Sequence, residues 1–112
     1  MGFALLLALG LGACHGKASE GAPCGAVATQ FFTLARADLD TAKVAPETRR
    51  QVLDQLPAMR DALSQACTDG AWSAQTRDCL VNARDHVAFQ TCEQQLTDDQ
   101  RRALDRDTPP SR

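Results

Sequence analysis

Two patterns of apolar residues divide the chain. Residues 3–11 are apolar apart from one glycine and carry no charge, whereas beyond Cys14 the apolar residues recur at steps of three and four, the period of a helix with one buried face. A first helix is predicted over residues 26–42. Val27, Phe31, Leu34 and Ala35 form its stripe, Phe32 and Leu39 lie on the adjacent one, and Arg36, Asp38 and Asp40 fall outside. After a turn over residues 43–46, a second helix begins near Pro46 or Glu47, since proline is accepted in a first turn. It carries the cleanest ladder of the chain, Val52, Leu56, Met59, Leu63 and Ala66. Pro57 sits inside that ladder without the amide hydrogen that should bond residue 53, so it is expected to kink the helix or split it into two collinear pieces.

Residues 68–72 include Gly70, a natural stop and turn. Ser73 then offers an N-cap for a third helix running to about Arg84, with Thr76, Cys79, Leu80 and Ala83 on its buried side. Asp85 can cap a fourth helix that carries Val87, Ala88, Phe89, Cys92 and Leu96. Thr97 and Gln100 have capping-box spacing, and with Asp98 and Asp99 in the first turn and Arg106 near the end they predict a short fifth helix. No stretch alternates as a strand would. The expected fold is all-α: a small antiparallel bundle of four to five helices, arranged as two helical hairpins over residues 24–106. Small polar residues make 14–23 a flexible tether, and the two prolines near the end make 107–112 a disordered tail.

The uncharged opening run is about the length of a secretory signal core and well short of the ~20 residues that a spanning helix needs. It closes on Leu11-Gly12-Ala13-Cys14, which resembles the lipobox of bacterial lipoprotein precursors. The resemblance implies that residues 1–13 are a signal peptide cut just before Cys14, and that the Cys14 thiol carries a diacylglyceryl group with its new amino terminus acylated as well. At about 0.8 kcal/mol per buried methylene, two or three acyl chains anchor a protein firmly. No Lys or Arg precedes the apolar core, which departs from the family pattern. His15, rather than Asp, follows the cysteine and resembles the class sorted to the outer membrane. Two rival motifs fail on single residues. N-myristoylation wants Ser or Thr where Leu6 stands, and haem attachment at Cys14-His15 needs a second cysteine where Leu11 stands.

A mature domain this short can bury only a thin core and usually needs staples. The net charge of −2 is mixed along the chain, with no basic stripe for nucleic acid. Five cysteines are an odd number, but with Cys14 assigned to lipid the remaining Cys24, Cys67, Cys79 and Cys92 are an even set in a compartment that permits disulfides. Three pairings are possible. An up-down bundle sets the start of helix one beside the end of helix two, and helices three and four form a hairpin about Arg84 and Asp85, so Cys24–Cys67 and Cys79–Cys92 are the expected bridges.

Metal and cofactor chemistry are not expected: there is no C-x-x-C, and the only histidine of the domain is His86, read as a surface residue. Trp72 is expected to cover the hairpin base. Asp54, Asp61, Arg50 and Arg60 are placed on outward faces, no nucleophile, base and orienter can be assembled, and catalysis is not expected. The ordering Cys67, Trp72-Ser73, Cys79, Cys92, Leu96-Thr97 and Gln100 resembles small helical four-cysteine envelope lipoproteins of unassigned function, which supports fold and pairing and supplies no activity. Leu96-Thr97-Asp98-Asp99-Gln100 is similar to the L-T-x-x-Q signature of periplasmic chaperones and envelope-stress sensors of the Spy and CpxP type. A capping box explains the same residues.

The expected function is thus a lipid-anchored, non-enzymatic interaction or structural module of the bacterial cell envelope, with an envelope protein as partner. A chaperone or stress sensor is second, and a small envelope enzyme third. Mass spectrometry of the membrane fraction is expected to find a mature chain that starts at a lipid-modified Cys14. An unmodified Cys14, or a start elsewhere, refutes the lipobox.

Overall fold

A computed structural model describes residues 20–107. Cys14, the predicted signal, the outer part of the tether and the tail beyond Asp107 lie outside the described residues. The two longest apolar ladders become α1 (Cys24–Thr41) and α2 (Pro46–Asp69), packed side by side, followed by α3 (Ala74–Asn82), α4 (His86–Glu93) and α5 (Asp98–Asp107). All five described elements are helices, so the all-α expectation holds.

Each helix end has a local cause. α1 starts two residues earlier than its ladder suggests because Pro23 presents its carbonyl to the amides of Ala26 and Val27, at 3.0 and 3.3 Å. Its other end is closed from the neighbouring helix. The Arg49 guanidinium donates to the carbonyls of Leu39 (2.6 Å) and Ala42 (3.2 Å), bringing donors and a cation to the negative end of α1. Ser73 caps α3 by accepting from the Thr76 amide at 3.1 Å, and Asp85 caps α4 by accepting from the Ala88 amide at 2.7 Å. α2 runs unbroken through Pro57, so of the two alternatives, kink or split, the split does not occur. Leu53 and Pro57 both lie on the exposed side, where water can serve the carbonyl that the proline leaves without a donor.

The core gathers where all five helices can reach it. Val27 and Leu34 of α1, Leu63 and Ala66 of α2, Leu80 of α3 and Phe89 of α4 are buried together with Trp72 and Leu96. Phe31 and Phe89 meet at 6.1 Å between ring centroids. Trp72, only 3% exposed, fills the base of the bundle as expected. The α3–α4 hairpin lies on α1, tied by Gln30 Nε2 donating to the Ala83 carbonyl at 2.6 Å, and α5 lies on α2.

Both expected disulfides are present, Cys24–Cys67 and Cys79–Cys92, closing sequence separations of 43 and 13. On the loop-closure account they contribute about 4 and about 3 kcal/mol respectively.

Three local expectations are corrected. The fourth helix ends at Glu93, so Leu96, expected on it, is buried in the turn that follows, and Val87 is 71% exposed because it falls about 200° round the helix from Phe89. Arg60 is not a purely solvated charge: its guanidinium lies 5.3 Å from the Phe32 ring centre, with Arg36 at 5.9 Å from the same ring. Residues 20–23, assigned to the tether, are pinned to α3. Arg77 donates to the carbonyls of Ala22 and Glu20 at 2.7 and 3.1 Å, and the Ala22 amide donates to Asp78 at 2.7 Å.

The stop after α2 also has an unexpected division of labour. Gly70 sits at φ −79 and the left-handed residue is Ala71, at φ 47. Gly70 is required for space instead: a Cβ there would stand 2.9 Å from the Ala66 carbonyl oxygen and 3.0 Å from Trp72 Nε1. Opposite outcomes follow for neighbouring substitutions. Ala71→Gly is expected to stabilise by about 1 kcal/mol in urea unfolding by relieving the left-handed conformation, and Gly70→Ala to destabilise by about 1 kcal/mol or more. A destabilising Ala71→Gly would show that the turn is built differently.

Candidate functional site

Helix lengths leave part of the molecule uncovered. At 1.5 Å per residue, α1 with 18 residues and α2 with 24 are about 27 and 36 Å long, whereas α3, α4 and α5 with 9, 8 and 10 residues reach only about 12 to 15 Å. The short helices gather toward the Cys24–Cys67 end. The end of the hairpin nearest the α1–α2 turn therefore has one layer where the other end has two. Leu39 (7% exposed) and Leu56 (2%) are buried by this hairpin yet stand apart from the main core cluster.

A groove results. A cavity of about 330 Å³ is walled by Phe31, Ala35 and Leu39 of α1, by Ala42 just beyond it, and by Val52, Leu56 and Met59 of α2, with Asp38 and His86 also lining it. A second cavity of about 180 Å³ shares Phe31 and Met59 with the first and continues to Leu63 of α2, Glu93 of α4, and Leu104 and Asp105 of α5. The two form one apolar trough divided by a pair of side chains. Among its described lining residues the ionisable groups are Asp38, His86, Glu93 and Asp105, with no lysine or arginine. Three carboxylates thus border an apolar floor.

Glu93 is the least comfortable of these. It is half-buried, and burial pushes its carboxyl above the ordinary range; Asp105 adds to the rise, and His86 acts against it.

The residues singled out in the sequence distribute unevenly about this trough. His86 is exposed, as expected, and lines the larger cavity. The four disulfide cysteines hold the bundle together and none lines the trough. Thr97 and Gln100 form the reciprocal capping box: the Thr97 amide donates to Gln100 Oε1 at 2.9 Å and the Gln100 amide to Thr97 Oγ1 at 3.1 Å. Gln100 Nε2 also donates to the Gly70 carbonyl at 2.9 Å, so both side chains of the L-T-x-x-Q stretch are engaged in holding α5 to the end of α2. Among the described residues no three His, Cys, Asp or Glu are grouped to hold a metal ion, and no helix is long and apolar enough to cross a membrane.

The trough was missed by motif reading because it contains no motif. Its signal lay in the lengths of the ladders: Leu39, Val52 and Leu56 extend the apolar stripe of the first hairpin past the reach of the later, shorter helices. Compared with known proteins, the chain matches no family model, no curated protein and no solved structure.

The raised Glu93 carboxyl makes a signed prediction. A folded state that holds this proton more tightly than the unfolded chain is favoured below the ordinary carboxyl range and loses that advantage as pH rises through the raised value. Glu93→Gln is therefore expected to raise the urea midpoint at neutral pH. The gain should vanish below about pH 4, where the unfolded carboxyl is protonated as well. Equal midpoints for the two proteins at both pH values would show that Glu93 is not desolvated.

Proposed function

We propose that this protein is a lipid-anchored interaction module of the bacterial cell envelope, tethered through Cys14 and offering the α1–α2 trough to a partner protein. The observation that carries the reading is the trough itself: an apolar surface with about 330 Å³ of open volume that the chain's own helices are too short to cover. The lipobox Leu11-Gly12-Ala13-Cys14 supports the anchor, and two disulfides are consistent with an extracytoplasmic location. The even cysteine set left after Cys14 supports the same assignment.

A chaperone or stress sensor of the L-T-x-x-Q type is the second reading. It requires an exposed apolar concavity, which the trough supplies; against it, Thr97 and Gln100 already serve as a cap.

In intact envelopes, chemical crosslinking of the anchored chain is expected to give a discrete adduct that disappears when residues 24–107 are deleted and the anchor is kept. An unchanged adduct pattern and phenotype after that deletion refutes the module. Suppression of aggregation of several unrelated unfolded clients by the purified chain moves the assignment to the second reading.

A further inference from the structure

We propose that the trough docks a basic amphipathic segment of a partner protein, with apolar side chains seated in its two cavities and lysine or arginine side chains meeting Glu93 and Asp105. This inference rests on the interaction-module reading and names the surface and the chemistry of its partner.

The floor sets the first requirement. Phe31 and Met59 divide the trough into cavities of about 330 and 180 Å³, so an occupant needs apolar groups at two positions with a step between them, the pattern that a helix presents at three- and four-residue spacing. The border sets the second. Its carboxylates come from three elements, Asp38 of α1, Glu93 of α4 and Asp105 of α5, while the lining of α2 contributes only apolar residues.

Two arginines of the first hairpin are held by groups other than the carboxylates of the trough. Arg49 is bonded to the Leu39 and Ala42 carbonyls and stands 3.9 Å from Asp40, and Arg60 lies against Asp61 and the Phe32 ring. Glu93 and Asp105 thus face one apolar cavity whose lining supplies no cation, and an incoming ammonium or guanidinium removes the repulsion between them. Glu93 is half-buried and Asp105 exposed, so the gain over an open surface falls on the Glu93 contact.

The same border argues against other occupants. A second copy would bring three carboxylates against three, and an anionic lipid surface would be repelled. A cationic partner gains where both of these lose.

The test uses the purified full chain in nonionic detergent and two labelled helical peptides, one of leucine and lysine at amphipathic spacing and one with glutamate for every lysine. Fluorescence anisotropy is expected to show the lysine peptide bound at least about tenfold more tightly than the glutamate peptide, with the preference falling as salt rises. The pair Glu93→Gln and Asp105→Asn is expected to weaken the lysine peptide by about tenfold or more while leaving the helical circular dichroism intact. Val52→Arg, a cation in the wall of the larger cavity, is expected to weaken it independently.

The proposal is overturned if the carboxamide pair binds the lysine peptide as the parent does, or if both peptides bind alike. It also falls if sedimentation shows a dimer that Val52→Arg dissolves, or if anionic vesicles bind in a manner that depends on the trough. Should the peptides fail to discriminate while the envelope adduct still depends on residues 24–107, the basic character of the partner is refuted and the module reading stands. Loss of the adduct as well removes both.

Discussion

The antiparallel contact between α1 and α2 is the constraint to which the other elements are referred. It is fixed covalently at one end, where Cys24 in the first turn of α1 is joined to Cys67 near the end of α2, and at the other by a short turn across which Arg49 closes the last carbonyls of α1. A domain of this size has a thin core, and the covalent tie adds to packing in holding two long helices in register. With register set, α3 and α4 have one place to lie, on α1, where Leu80 and Phe89 complete the core, and α5 has one place to lie, on α2. The second disulfide then stiffens a hairpin too short to be stable by itself.

Much of this was legible in the residues, and for an identifiable reason. The ladders of α1 and α2 are long enough for periodicity to be unambiguous, and short connections leave few topologies, so the disulfide pairing follows from which helix ends must be neighbours. The errors share a cause too. Leu96 read as part of the fourth helix because its spacing from Cys92 continues the apolar stripe, yet that helix stops at Glu93. Ala71 looked unremarkable because glycine beside it was the expected left-handed residue; the packing of Trp72 against Gly70 decided otherwise. Arg60 read as solvent-facing because spacing does not show that Phe32 stands opposite it. Spacing within one helix states which side is apolar. It does not state how much of that side a neighbour will cover, and the trough is made of that difference.

A bundle optimised for stability alone would have longer short helices, or fewer apolar residues where nothing covers them, and would not hold Glu93 half-buried near Asp105. Each of these features costs stability in the free chain, and together they border one surface. The four disulfide cysteines, by contrast, stand away from that surface and act only on the scaffold. Phe31 and Leu63 belong to both the core and the trough, so only the border residues can be varied without disturbing the scaffold.

Where the chain enters the bundle has a geometric consequence. Arg77 and Asp78 clamp Glu20 and Ala22 against α3, so the described chain enters the bundle beside the Cys24–Cys67 bond. From Cys24 to Leu39 is fifteen residues of continuous helix, about 22 Å. The wall of the larger cavity at Leu39 is therefore the part of the trough farthest from that entry, and the smaller cavity, lined by Phe31 and Leu63, lies between them. Under the proposed anchoring through Cys14, that far wall is the part of the trough a visitor meets first on leaving the aqueous side.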